Sequence, residues 1–335
     1  ESPDGNRDEV CKFYLLRVAD YLDRKVSLAH IYFQRIDRDM LVEVEVSMTA
    51  VLQHAYADEY LVISHRWEQE GQPDPNGTQE EKIRAFLLNN PQFKYIWHDF
   101  WCLPQIPMLS GSGLPGEDRP RTEEEQLEFN GMLKSVNLLY LGATVLILLD
   151  DEYLKRFWTS AEAWLAMQTC TATGLHPAQE PRARCKILLL PGTGEEKRGA
   201  LIECWAAAPI KDAIARLGDE KIELTNKGDT QVMLDKFERL HEDIRAAWAK
   251  WQMSKIVGDN PKLEGVIDGG EEFVIEMSHN AEAAAQAEAV RQAKEAERLA
   301  AEAAEAAAQV EAELLVAEAA AQVEAERRAA DAAAY

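Results

Sequence analysis

Apolar residues in this chain gather into short unbroken runs separated by longer amphipathic stretches, a pattern that starts near residue 58. Tyr60-Leu61-Val62-Ile63-Ser64 is the first run; a Gly/Pro-rich loop from Gly71 to Gly77 and a helical stretch from Thr78 to Leu88 follow it. Lys94 to Asp99 is the second, with a glycine- and proline-rich loop from Pro104 to Pro120 and a charged helix from Thr122 to about Tyr140 behind it. Ala143 to Leu149 is the third and most apolar, which places it centrally, and Tyr153 to Thr169 is predicted helical. Lys186 to Leu190 is the fourth, stopped by Pro191-Gly192. Gly199 to Leu217 reads as helix broken at Pro209. Lys221 to Leu224 is a weaker, edge-like fifth strand, and Thr230 to Ile256 an amphipathic helix.

Strand runs without polar alternation, separated by helices, imply parallel pairing with both faces covered. Right-handed crossovers then predict a doubly wound, flavodoxin-like α/β fold with five parallel strands in the order 2-1-3-4-5, numbered as the runs occur. Residues 1–57 are expected to form a helical N-terminal region, because Val10, Phe13, Leu16, Val18 and Tyr21 recur near helical spacing behind Asp8. The α/β domain is assigned to 58–257 and a linker to 258–277.

Residues 278–335 contain neither Gly nor Pro and are dominated by Ala and Glu, so propensity alone predicts a single long helix. At 1.5 Å per residue it would reach roughly 80 Å. The octet AAAQVEAE occurs at 306–313 and again at 319–326. Val290, Leu299, Val310, Leu314 and Val323 are too sparse for a heptad seam. The segment reads either as a solvated lone helix or as a strut docked on a protein partner.

The formal net charge of -23 excludes the phosphate neutralisation on which nucleic-acid binding rests. It suits a very soluble chain or one that docks on a basic partner. Cys11, Cys102, Cys170, Cys185 and Cys204 are scattered and odd in number, which points to a reducing, intracellular compartment, the cytoplasm by default. No apolar run is long enough to span a membrane. The chain begins at Glu1 rather than Met, so an upstream piece, an organelle-targeting peptide among the options, is expected.

In open parallel sheets, ligands bind beyond the carboxyl ends of the strands, near the point where strand order reverses. The polar residues here sit at those ends: Ser64-His65-Arg66-Trp67, His98-Asp99-Phe100-Trp101-Cys102 and Asp150-Asp151-Glu152. His65, Arg66 and Asp150 are expected to share one crevice with the next helix, in which Trp158 and Glu162 stand four apart on one face.

Tyr60 to Trp67 resembles the first strand of Toll/interleukin-receptor (TIR) domains, and Tyr153-Leu-Lys-Arg-Phe-Trp-Thr-Ser-Ala-Glu162 resembles their third-helix signature, a Tyr-Leu start followed by Trp-x-x-x-Glu. Trp101-Cys-Leu-Pro-Gln105 and Arg156-x-Trp158-x-x-x-Glu162 are similar to segments of the related heterokaryon-incompatibility (HET) domains. The likeness covers about residues 58–170, and the combination looks most like proteins of single-celled eukaryotes. It departs from the TIR pattern in lacking Cys after Trp158, and from the HET pattern in having Pro104 where Asn is usual.

The resemblance implies two functions. One is a non-catalytic interaction and assembly module, self-associating or bound to protein partners, with the 278–335 helix as strut. The other is an enzyme that cleaves the nicotinamide–ribose bond of NAD, in which Glu162 is catalytic and NAD is substrate rather than cofactor. A carboxylate suits that reaction because the bond breaks toward an oxocarbenium-like state. Trp158 would offer a stacking surface and Arg66 would meet phosphate oxygens, with His65 and Asp150 lining the same pocket.

Each residue also has a structural reading. Glu162 fits a surface helix residue paired with a cation, His65 and His98 fit hydrogen-bonded strand ends, and the tryptophans fit packing. Asp150-Asp151-Glu152 suits the acidic start of a helix. Asp99, His98 and Cys102 lack a fourth ligand, so no metal is expected. Pro191 to Gly194 with Lys197 does not fit the phosphate-loop pattern.

Overall fold

A computed structural model describes residues 10–24, 27–106, 119–219, 222–223 and 227–259. The chain divides into two units, Glu1–Asp268 and Gly269–Tyr335, and every described residue belongs to the first. The expected 278–335 helix, most of the 258–277 linker and the centre of the 104–120 loop lie outside the described residues.

The protein is α/β with a mostly parallel central sheet. Its core is β3 (Tyr60–His65), β4 (Tyr95–Trp97), β5 (Thr144–Leu149) and β8 (Cys185–Leu189), which lie side by side as β4-β3-β5-β8, all parallel. All six residues of β5 are buried, so both faces of the sheet are covered at its centre. The crossovers are α3 (Thr78–Leu88), α5 (Glu123–Gly142) and α6 (Phe157–Ala166). A capping box fixes the start of α5: Thr122 Oγ1 accepts from Glu125 N and Glu125 accepts from Thr122 N. At the far end, α7 (Glu195–Trp205) and α8 (Ile210–Leu217) are separated at Pro209, and α9 runs from Lys227 to Asp259.

Three expectations need correction. First, the N-terminal region is not mainly helical: Cys11–Arg17 forms β1 and Leu41–Val46 forms β2, an antiparallel hairpin-like pair that extends the sheet past β4. The order is therefore β2-β1-β4-β3-β5-β8, six strands of mixed direction rather than five parallel ones. Phe13 and Leu15 are buried on alternate positions, as a strand requires, and Val42, Val44 and Val46 alternate with the exposed Glu43 and Glu45. Among the described residues there, only the short α1 (Val18–Asp23) and α2 (Met48–Leu52) are α-helical.

Second, the fifth strand does not join the sheet at Ile222-Glu223, the two residues of that run that are described. Glu223 forms an isolated parallel bridge with Arg156, donating to Lys155 O at 2.7 Å and accepting from Phe157 N at 3.2 Å. With Lys221 and Glu223 charged, the run offers too little apolar surface for a buried edge. Third, the helix expected over Tyr153–Thr169 is a 3-10 turn at Tyr153–Lys155 followed by α6, and Gln168–Thr171 (β6) pairs with Gly174–Pro177 (β7) as a separate two-stranded sheet.

The N-terminal segment also covers the carboxyl end of β4. Tyr21 packs on Trp101 with ring centroids 5.4 Å apart, and Trp101 Nε1 donates to Leu28 O at 3.0 Å. Trp101 belongs to α4 (Asp99–Cys102), the single turn that follows β4.

Leu16 is fully buried where β1 meets both β2 and β4. Leu16→Ala is expected to lower the stability of the whole domain by about 2–5 kcal/mol, seen in urea unfolding as one shifted transition. A peripheral arm would instead leave the main transition in place.

Candidate functional site

Because β3 is paired in parallel with β4 and β5, its carboxyl end and theirs meet along one rim, and the chain turns from β4 to β5 across β3. Ser64 and His65 end β3, His98 precedes α4, Asp150 follows β5, and α6 begins one turn later. The rim gathers the expected residues in two groups.

The first group centres on Glu162. Its Oε2 accepts from the fully buried Ser64 Oγ at 2.6 Å, and the Tyr140 hydroxyl, which donates to Ile63 O at 3.4 Å, neighbours the carboxyl. Ser64 spends its one proton on Glu162, so the Tyr153 hydroxyl in close contact with Ser64 Oγ donates to it. Burial pushes the Glu162 carboxyl up to about 8; the negative charge of Asp99 adds to this, while the Ser64 hydrogen bond, the Tyr140 hydroxyl and His65 oppose it. The carboxyl is thus protonated at neutral pH, yet Glu162 remains partly exposed, with the half-buried Trp158 one helical turn away. Burial, reinforced by Glu162, also holds Tyr140 and Tyr153 far above their usual range, so both stay protonated.

The neighbouring groups carry the charge. His65 is buried, with Nδ1 2.8 Å from Gln79 Oε1 and Nε2 2.9 Å from Asp99 Oδ1. Gln79 Nε2 donates to Pro73 O at 3.0 Å and Arg66 O at 3.2 Å, which orients the amide and leaves its oxygen to accept from His65 Nδ1–H. Burial works against a charged His65, but the Asp99 carboxylate outweighs it and the imidazole titrates above its ordinary value. For Asp99 burial is likewise overcome: His65, His98 and the Trp67 Nε1 donor at 2.7 Å lower the carboxyl to about 2. His98, buried and beside His65, is held well below its usual range and stays neutral.

The second group is Arg66 with Asp150. Arg66 Nε and Nη2 each lie 2.7 Å from Asp150 Oδ2, and Nη1 donates to Trp67 O at 3.0 Å. The two residues come together as the strand-end rule anticipates, but they neutralise each other. Asp150 Oδ1 also accepts from Glu152 N at 3.1 Å.

Of the residues named from sequence, Glu162 and Trp158 face the rim with access to solvent, Arg66 and Asp150 are mutually paired, and His65 is enclosed with both ring nitrogens engaged. Sequence reasoning missed the roles of Ser64, Gln79, Tyr140 and Tyr153. Ser64 and Tyr153 were visible as the strand exit and the opening of the third-helix motif, whereas Gln79 and Tyr140 reach the rim from α3 and α5 and left no local signal. Among the described residues one trio, His65, His98 and Asp99, brings metal-ligating atoms within 4.8 Å of one another. Two surface hollows, one lined by Ile106, Arg121 and Gln126 and the other by Val10, Tyr14 and Leu127, share no residue with the rim.

Comparison of the chain with protein-family models, with curated proteins and with solved structures finds no match. The chemistry of the rim therefore stands on its own geometry. A partly exposed carboxyl with a raised pKa binds a proton or, in its place, a cationic group that stabilises its ionised form.

The Glu162 shift has a consequence for stability. Its folded value, about 8, lies above its ordinary 4.5, so the unfolded chain gives up the proton first. The stabilisation is complete below pH 4.5 and is lost as pH rises through 8. Relative to Glu162→Gln, the wild-type protein is expected to lose at most about 1.4 kcal/mol per pH unit across that window. Paired melting curves from pH 5 to pH 9 measure it, and a pH-independent difference between the two proteins would contradict the assignment.

Proposed function

We propose that this protein hydrolyses an N-glycosidic bond next to a cationic base, with NAD as the substrate and Glu162 as the catalytic carboxylate. One observation carries the reading: Glu162 is held by Ser64 at the strand-order reversal, in surroundings that disfavour its negative charge until a positive charge arrives. The nicotinamide ring of NAD is such a charge. On binding, Glu162 releases its proton to solvent and faces the ring as a carboxylate. When the C1′–N bond breaks, the bonding electrons leave with neutral nicotinamide and the positive charge passes to the ribosyl oxocarbenium, which the carboxylate stabilises. Water then attacks C1′, gives its proton to Glu162, and ADP-ribose forms.

The likeness to TIR-type domains supports this reading at Glu162 and Trp158, with Trp158 as the surface against which the ring packs. Arg66 contacts a diphosphate only by exchanging Asp150 for it. His65 acts as a positioning residue through Asp99 and Gln79, since its ring is enclosed.

The full chain incubated with NAD is expected to release nicotinamide, measured by chromatography across a range of protein concentrations that includes assembled species. Glu162→Ala and Glu162→Gln are each expected to lower the rate at least 100-fold while the circular dichroism spectrum is retained. Equal turnover by wild type and both variants, or none by any, rules out the reading.

A second reading, the interaction and assembly module, is favoured by the charge of -23 and by the hollow in which the apolar Val10 and Leu127 are 50% and 74% exposed. It places the contact to a protein partner in residues 278–335. Sedimentation of the full chain against a 1–277 truncation tests its self-association form. Assembly that depends on the tail supports it, and identical monomeric behaviour removes it.

A further inference from the structure

His98 is buried at 3% exposure, and its Nδ1 has no hydrogen-bond partner. An orphaned buried polar atom is destabilising, and this one stands beside His65, both of whose ring nitrogens are engaged. That Nδ1 lies 3.4 Å from Asp99 Oδ1, which is itself 2.9 Å from His65 Nε2. All three atoms fall within 4.8 Å of one another. Ligand atoms bound tetrahedrally at 2.0–2.1 Å are roughly 3.3 Å apart, so small movements bring the trio to coordinating geometry.

The surroundings of His65 match what a metal-bound imidazole needs. Gln79 Oε1 accepts from His65 Nδ1–H, which fixes the ring and leaves Nε2 as the free donor atom once its proton is displaced. Trp67 Nε1 holds Asp99 Oδ2 at 2.7 Å, and Trp101 stacks on the His98 ring at 4.1 Å. The Asp99 side chain is 31% exposed, which gives an ion and a further ligand access from solvent.

We propose that His65 Nε2, His98 Nδ1 and Asp99 Oδ1 bind one divalent transition-metal ion of the Zn2+ or Co2+ type. Two imidazoles and one carboxylate select such ions over Mg2+ and Ca2+, which take oxygen ligands. Cys102, the neighbour that sequence spacing suggested, is not part of the trio; its thiol faces Ile96 O at 3.8 Å. The third ligand comes instead from β3. Neither Glu162 nor NAD supplies a ligand here, although His65 and Asp99 also adjoin Glu162 and influence its carboxyl.

The test uses the full chain, stripped with chelator and titrated with Co2+ while visible absorption is recorded. One Co2+ per chain is expected, with ligand-field bands that Zn2+ abolishes by displacement, and Zn2+ is expected to raise the melting temperature. His98→Gln and Asp99→Asn are each expected to weaken binding at least 100-fold with an unchanged circular dichroism spectrum. Glu162→Gln removes the catalytic carboxyl but none of the proposed ligands, so it should still bind one Co2+ per chain while nicotinamide release is lost, which makes failure of the two readings distinguishable. Folded wild-type protein that takes up less than one Co2+ per chain without these bands overturns the proposal. Metal uptake unaffected by both ligand substitutions overturns it equally.

Discussion

The rim exists because β3 is paired in parallel on both sides. Leu61 is in register with Ile96 of β4 and with Thr144 of β5; β4 stops at Trp97, opposite Val62, while β3 and β5 run on together to His65 and Leu148. A slip of one residue would turn Ser64 to the other face of the sheet and leave Glu162 without its donor. Register is secured by burial: β5 is enclosed over its whole length and β3 over five of six residues. The hydrophobic core thus does more than stabilise the fold, since it sets where a small number of polar atoms stop.

Those polar atoms are placed where apolar packing would otherwise continue, and nearly all of them are satisfied by one another. Tyr153, Ser64 and Glu162 form one connected set, with Tyr140 beside it, and Gln79, His65, Asp99 and Trp67 form another. The two sets sit close enough to influence each other's protons, as the effect of Asp99 on Glu162 shows. Connected buried networks are rigid when complete and sensitive where a member is missing. His98 Nδ1 is the gap in this one.

The strands at the centre of the sheet were legible because fully enclosed parallel strands are written as continuous apolar runs; Leu61-Val62-Ile63 and Val145 to Leu149 admit little else. The start of α5 was legible in Thr122 and Glu125. The β1–β2 pair was not read, because Phe13 and Leu16 of the strand fall at helical intervals with Val18, which opens α1. The stricter alternation of Val42 to Val46 was the better guide to its partner. At the rim, the strand-end rule located His65, Arg66 and Asp150, and the Trp-x-x-x-Glu spacing located Trp158 and Glu162. It could not reveal that Arg66 is occupied by Asp150, nor that helices distant in sequence supply Gln79 and Tyr140. Such facts depend on tertiary packing and leave no mark on local spacing.

The antiparallel pair has an effect beyond covering β4. It makes β2 one outer border of the sheet, six residues long, with Glu43 and Glu45 exposed along it and Lys12 paired to Glu43 at 2.6 Å. A second chain adding a strand there would bring its own backbone against a line of carboxylates, and two copies meeting border to border would repel. Edge-to-edge pairing through β2 is therefore disfavoured by charge.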